Sequence, residues 1–178
     1  MQGGGAAKGD ALSDHVIEND NNVDQFGLYN NSLCCLSTSL SHNRTMATNS
    51  SKIDQYLEEK RQGLNRVDPR TAFERSQSHD GTVIIDTRPE AYRAAEGAIP
   101  GAIIIERNVL EWRLDPTSTA NIPEARQPGF APIIVCNEGY ASSLAAQVLK
   151  DLGVDRATDL VGGFRAWKAE GLPVELKE

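Results

Sequence analysis

Cys136 is the residue of this chain best placed for covalent chemistry. It closes the apolar run Pro132-Ile133-Ile134-Val135 and is followed by Asn137-Glu138-Gly139-Tyr140-Ala141-Ser142, after which a helical pattern starts near Ser143. A cysteine at the end of an apolar strand is ordinarily a small buried hydrophobe. Its neighbours here favour another use. Gly139 lets the chain curl without steric penalty. A curled loop between strand and helix turns the amides of 137–142 and the helix amino terminus towards one centre. A sulfur at that centre is held as thiolate, the form that attacks electrophiles. The same donors suit a persulfide anion, whose second sulfur reaches further into the cup. Ser142 and Ser143 read as helix-start residues rather than nucleophiles.

The elements that must position this loop are visible on either side of it. Ser51 and Asp54 form a capping-box pattern ahead of a helix of about three turns with Ile53, Tyr56, Leu57 and Leu64 as its apolar stripe. Asn65-Arg66-Val67 suggests a short edge strand, and Asp68-Pro69 an N-cap and first-turn proline for a helix reaching Ser76. From Gly81 onward short apolar strands alternate with helices: Val83-Ile84-Ile85, Ala102 to Ile105, Ile133 to Val135 and Thr158 to Val161 are the strands. The helix over Ser143–Leu152 has Leu144, Val148, Leu149 and Leu152 as its expected buried stripe, and a last helix spans Phe164–Glu170. Strands apolar on both faces and alternating with helices imply an α/β fold, a mostly parallel sheet of about five strands with helices on both faces. Sites in such sheets form at the carboxyl ends of the strands, which is where Cys136 stands.

The loop resembles the active-site loop of the rhodanese family: strand, Cys, short loop with a central Gly, helix. Two further stretches carry the resemblance. Asp86-Thr87-Arg88-Pro89-Glu90-Ala91-Tyr92, continuing to Gly97-Ala98-Ile99-Pro100-Gly101, is similar to the family's amino-terminal signature. Val161-Gly162-Gly163-Phe164-Arg165-Ala166-Trp167, followed by Gly171-Leu172-Pro173, is similar to its carboxyl-terminal one. The resemblance covers about residues 64–178 and implies a single-domain sulfurtransferase of rhodanese-like fold. Asp86 and Arg88 are expected to tie loops together by charge-assisted hydrogen bonds. Gly162-Gly163 should turn the chain into the last helix, and Trp167 should pack that helix on the sheet.

Two departures bear on the substrate. Many family members carry an arginine where Ala141 stands, in position to bind an anionic donor, and Glu138 places a negative charge beside the sulfur, which points away from thiosulfate. Arg107 and Arg113 are candidates to supply positive charge from outside the loop. The family often has His at the position of Ala98, a change expected to affect structure more than chemistry. The resemblance implies a two-step reaction in which Cys136 takes a sulfane sulfur from a donor and passes it to a thiol or to cyanide. The alternative is a rhodanese-like persulfide carrier or interaction module with little turnover. A cysteine phosphatase would need arginine where Ser142 stands. No cofactor or metal is implied, and His15, His42 and His79 fit neither a metal site nor a Cys-His pair.

The remaining sequence sets the context. The 178 residues carry a net charge of −7 with acidic and basic residues interspersed, which argues against nucleic acid and anionic membrane as partners. Residues 1–50 are rich in Gly, Asn, Ser and Asp without sustained periodicity and read as disordered, with Cys34 and Cys35 as unstructured thiols. The division is therefore a disordered segment over 1–50, a helix over 51–63 and the rhodanese-like domain over 64–178. Met46 directly precedes the first helical signal, and initiation there would give a chain beginning MATNSSKIDQ. Three cysteines form no disulfide framework, and the amino terminus has no signal-like apolar region; both suit the cytoplasm. A protein partner for residues 1–50 is conceivable but unspecified by these residues.

Overall fold

The computed structural model describes residues 50–78 and 80–176. The segment read as disordered (save Ser50), both of its cysteines, Met46 and all three histidines therefore lie outside the described residues.

Helix α1 spans Lys52–Arg61. The Ser51 hydroxyl accepts from the Asp54 amide, and Lys60 and Arg61 lie in the last turn, where cations oppose the negative end of the helix dipole. Helix α2, Pro69–Gln77, opens under an Asp68 cap with proline in its first turn, as the sequence suggests. Strand β1 (Thr82–Asp86), helix α3 (Glu90–Glu96), strand β2 (Ile103–Ile104), a 3-10 turn (Arg107–Val109) and helix α4 (Leu110–Leu114) follow. A second 3-10 turn (Pro123–Arg126), strand β3 (Ala131–Val135), helix α5 (Ala141–Asp151), strand β4 (Thr158–Asp159) and helix α6 (Gly163–Ala169) complete the order.

The four strands form one parallel sheet in the order β2-β1-β3-β4. Successive side chains of a strand point to opposite faces, and the core divides accordingly. Ile85 and Ile134 pack with Leu110, Leu114, Ala145, Ala146 and Leu149 on one face. Ile84, Ile133 and Val135 pack with Ala72, Phe164 and Trp167 on the other. Helices thus cover both faces, and all five β3 residues are buried.

Three expectations are corrected. The edge strand over Asn65-Arg66-Val67 is a single parallel bridge from Val67 to Leu160, because Asp68 caps α2 immediately afterwards. On α1 only Leu57 is buried, with Ile53 and Tyr56 exposed. On α5 the buried face is Ser142, Ser143, Ala145, Ala146 and Leu149, while Val148 and Leu152 are exposed. Small residues bring α5 close to the sheet, and close approach moves the large side chains to its flanks. Ala98, where the family often has His, makes a two-way main-chain pairing with Glu175, so its backbone joins the chain end to the loop after α3.

Asp86 and Arg88 tie loops together as expected. Both are fully buried, the Arg88 Nη2 to Asp86 Oδ2 distance is 2.7 Å, and the same Nη2 donates to the Gly97 carbonyl at 2.8 Å. The guanidinium lies 3.5 Å from the centre of the Phe164 ring, which links the end of β1 to α6. Removing one partner of a buried pair leaves the other charge without compensation. Asp86→Ala is accordingly expected to lose about 3–5 kcal/mol in urea unfolding; a loss under about 1 kcal/mol would show that solvent reaches Arg88 after all.

Candidate active site

Cys136 follows the last residue of β3 and is partly exposed. Its carbonyl accepts from the Phe164 amide at 2.8 Å, and the Asn137 carbonyl accepts from the Arg165 amide at 3.1 Å. The first turn of α6 thus orients the beginning of the loop. The approach is close: a Cβ on Gly163, which has φ of 61°, would lie 2.3 Å from the Cys136 carbonyl oxygen. Gly162-Gly163 therefore does more than turn the chain. Gly139 is constrained in the same way, with φ of 78° and a would-be Cβ 2.9 Å from the Gly162 nitrogen.

One donor and one hydroxyl oxygen approach the sulfur. The Gly139 amide donates to Cys136 Sγ at 3.2 Å, and the Ser142 hydroxyl also lies 3.2 Å from it. Of the amides of 137–142 expected to face one centre, only that of Gly139 reaches Sγ. Those of Glu138, Tyr140, Ala141 and Ser142 have no acceptor among the described residues. A single sulfur fixed to its own backbone by one Cβ touches only the near side of the loop.

Behind the loop lies a network that sequence reasoning missed. Asp159, fully buried in β4, receives the Ser142 hydroxyl at 3.1 Å and the Ser143 hydroxyl at 2.8 Å. Arg66 binds it with two nitrogens, Nε to Oδ1 at 2.8 Å and Nη2 to Oδ2 at 3.0 Å. Ser142 and Ser143 are thus more than helix-start residues. The available signal was Asp159 itself, a carboxylate inside a buried strand, which must find partners to be tolerated there.

In front of Cys136 opens a cavity of about 510 Å³, whose lining includes Glu90, Glu106, Arg107, Asn137, Glu138 and Ala141. Arg107 therefore shares the cavity with the sulfur, although its Nη1 also pairs with Glu111 at 2.7 Å. Arg113 does not line it and donates to the Ala120 carbonyl at 2.8 Å. Glu138 is paired with Arg165, which offsets its charge beside the loop. Tyr140 is exposed. Among the described residues no group of three or more His, Cys, Asp or Glu side chains is placed to hold a metal ion, and no helix is long and apolar enough to cross a membrane.

A strand-loop-helix cysteine site at the carboxyl edge of a parallel sheet covered on both faces is the arrangement of the rhodanese-like domain. The family's model matches residues 69–170, and the chain belongs to that family. It is 28% identical over 115 residues to a curated sulfurtransferase of Allochromatium vinosum, a match covering 65% of this chain and 98% of that one. It is 33% identical over 85 residues to an adenylyltransferase and sulfurtransferase of Zea mays, covering 48% of this chain but only 18% of that longer protein. Among solved structures, a protein of unknown function from Rhodopseudomonas palustris, described as a "Possible Tyrosine Phosphatase", has a TM-score of 0.64 at 29% identity. That likeness covers 71% of this chain and 96% of the other. Both curated relatives are named for sulfur transfer.

Gly163→Ala checks how tightly α6 holds the loop. Forcing an alanine into the left-handed region costs about 1–2 kcal/mol before any clash is counted. The variant is expected to melt at lower temperature and to react with iodoacetamide at a different rate from wild type. An unchanged alkylation rate at a temperature where both are folded would mean that the Cys136 backbone does not depend on this contact.

Proposed function

We propose that this protein is a sulfurtransferase that carries a sulfane sulfur as a persulfide on Cys136. The observation that supports this best is the half-satisfied loop: the Gly139 amide on Sγ, the Ser142 oxygen 3.2 Å from it, and four more loop amides with no acceptor among the described residues. Glu138, Tyr140 and Ala141 are exposed, so water can serve their amides in the unloaded protein, and a second, negatively charged sulfur beyond Sγ is a group that would use them instead.

The reaction runs in two displacements. The Cys136 thiolate attacks the sulfane sulfur of a donor; the donor's own sulfur bond breaks, and its electron pair leaves with the first product. The enzyme is then Cys136–S–S⁻. An acceptor thiolate, or cyanide, attacks the outer sulfur and takes it, and the electron pair of the broken bond returns to Cys136 as thiolate. No net oxidation occurs and no cofactor takes part. The Gly139 amide stabilises the charge on the inner sulfur when it is a thiolate, and the free loop amides stabilise the charge on the outer one.

The cavity bears on the donor. Glu90, Glu106 and Glu138 line it with Arg107 and with Arg88, whose charge is taken up by Asp86, and Ala141 supplies no cation. A small dianion such as thiosulfate gains little there, and a larger organic sulfur donor suits the volume better. Arg113 has no part in this reading. Three cysteines without a disulfide framework suit a reducing cytoplasm. The phosphatase activity ascribed to the Rhodopseudomonas neighbour would need a guanidinium at position 142, where the Ser142 hydroxyl bonds Asp159 instead.

The test is to incubate the protein with thiosulfate, 3-mercaptopyruvate or an alkyl persulfide and weigh it intact. Wild type is expected to gain one sulfur atom and Cys136→Ala none, with the organic donors loading faster than thiosulfate. Failure to gain sulfur from any donor would reduce the protein to an interaction module of this fold. Loading without onward transfer to thiols would make it a carrier.

A further inference from the structure

Two guanidinium groups reach the loop from residues that precede the family match. Arg61 ends α1, and Arg66 lies just before the Val67 bridge; both donate to the carbonyl oxygen of Gly139, at 2.7 and 3.1 Å. The Ser143 hydroxyl is 2.9 Å from the same oxygen. A carbonyl oxygen has two lone pairs, so two charged donors alone fill it and fix its direction.

Each donor is itself anchored. Arg66 is forked onto the buried Asp159 carboxylate. Arg61 Nε donates to Ser143 Oγ at 3.2 Å, and its guanidinium lies 5.7 Å from the centre of the Tyr140 ring. The helix that carries Arg61 packs on α5 and buries Leu57. The clamp is thus built into the fold rather than formed by free surface side chains.

Its effect follows from peptide geometry. The unit joining Gly139 to Tyr140 is planar and trans, so its carbonyl and its N–H point in opposite directions. Fixing the Gly139 carbonyl on Arg61 and Arg66 turns the Tyr140 N–H away from them, and that N–H has no acceptor among the described residues. We propose that Arg61 and Arg66 are positioning residues which, through the Gly139 carbonyl, hold the Tyr140 amide ready for the outer sulfur of the loaded enzyme. The loop is then shaped for the persulfide state before any sulfur arrives. This inference rests on the persulfide reading above and adds the element that prepares the cup.

Arg61 is the cleaner of the two to change, because Arg66 also compensates Asp159. In the full chain, Arg61→Gln is expected to slow sulfur loading ~10-fold, while iodoacetamide alkylation of the unloaded thiol stays within ~2-fold, since Sγ itself touches Gly139 and Ser142. Arg61→Lys keeps one donor for the carbonyl and should recover most of the loading rate. Amide hydrogen exchange supplies a readout that needs no variant: on loading wild type, exchange at Tyr140 is expected to slow. Loading unchanged in Arg61→Gln, equal slowing of loading and alkylation, no recovery in Arg61→Lys, or Tyr140 exchange indifferent to loading would each overturn the clamp. If wild type takes up no sulfur at all, the persulfide reading has failed and the clamp falls with it; the other outcomes leave that reading standing.

Discussion

A carboxylate placed inside a parallel sheet is costly unless several donors meet it, and the organisation of this site is set by how Asp159 meets that requirement. Its three partners come from two directions: Arg66 from the segment before α2, and Ser142 and Ser143 from the first turn of α5. One buried group therefore brings together the amino-terminal arm, the last strand and the helix after the loop. Because Ser142 also touches Cys136 Sγ, the position of the reactive sulfur is coupled to the same group. Unpaired, Asp159 would strain the core and disturb the site together.

The opposite side of the loop is held by main chain. The amides of Phe164 and Arg165 take the carbonyls of Cys136 and Asn137, and the absence of a side chain at Gly163 lets the two segments approach. The Asp86-Arg88 pair then fixes α6 to β1 through Phe164. The loop is suspended between a polar network on one side and a main-chain contact on the other, while the cavity in front of it stays open. Such suspension spares the loop from reorganising when a charged atom enters, which is what electrostatic stabilisation of an anion requires.

Much of this could be read from the residues alone, because it depends on local rules. Alternating apolar runs implied the parallel sheet, Asp68-Pro69 marked the start of α2, and the position of Cys136 at a strand's carboxyl end followed from β3 being wholly apolar. The parts that escaped were those depending on distant contacts. The face that α5 buries was misjudged since Ser142, Ala145 and Ala146 look less apolar than Leu144 and Val148, yet their small size permits close packing. Arg66 and Asp159 are 93 positions apart, and no periodicity connects them. Arg113 looked equivalent to Arg107, but one faces the cavity and the other the chain after α4. Separation in sequence, rather than subtlety of chemistry, decided which features were visible.

The reach of Arg61 and Arg66 has a practical corollary for where this unit begins. The match to the family model starts at residue 69, and a fragment cut there would keep the nucleophile, the cavity and every strand of the sheet. It would also strand Asp159 without its cationic counterpart and release the Gly139 carbonyl. Boundaries drawn at the family-model match would thus leave out the side chains that hold the back of the loop, Arg61 and Arg66.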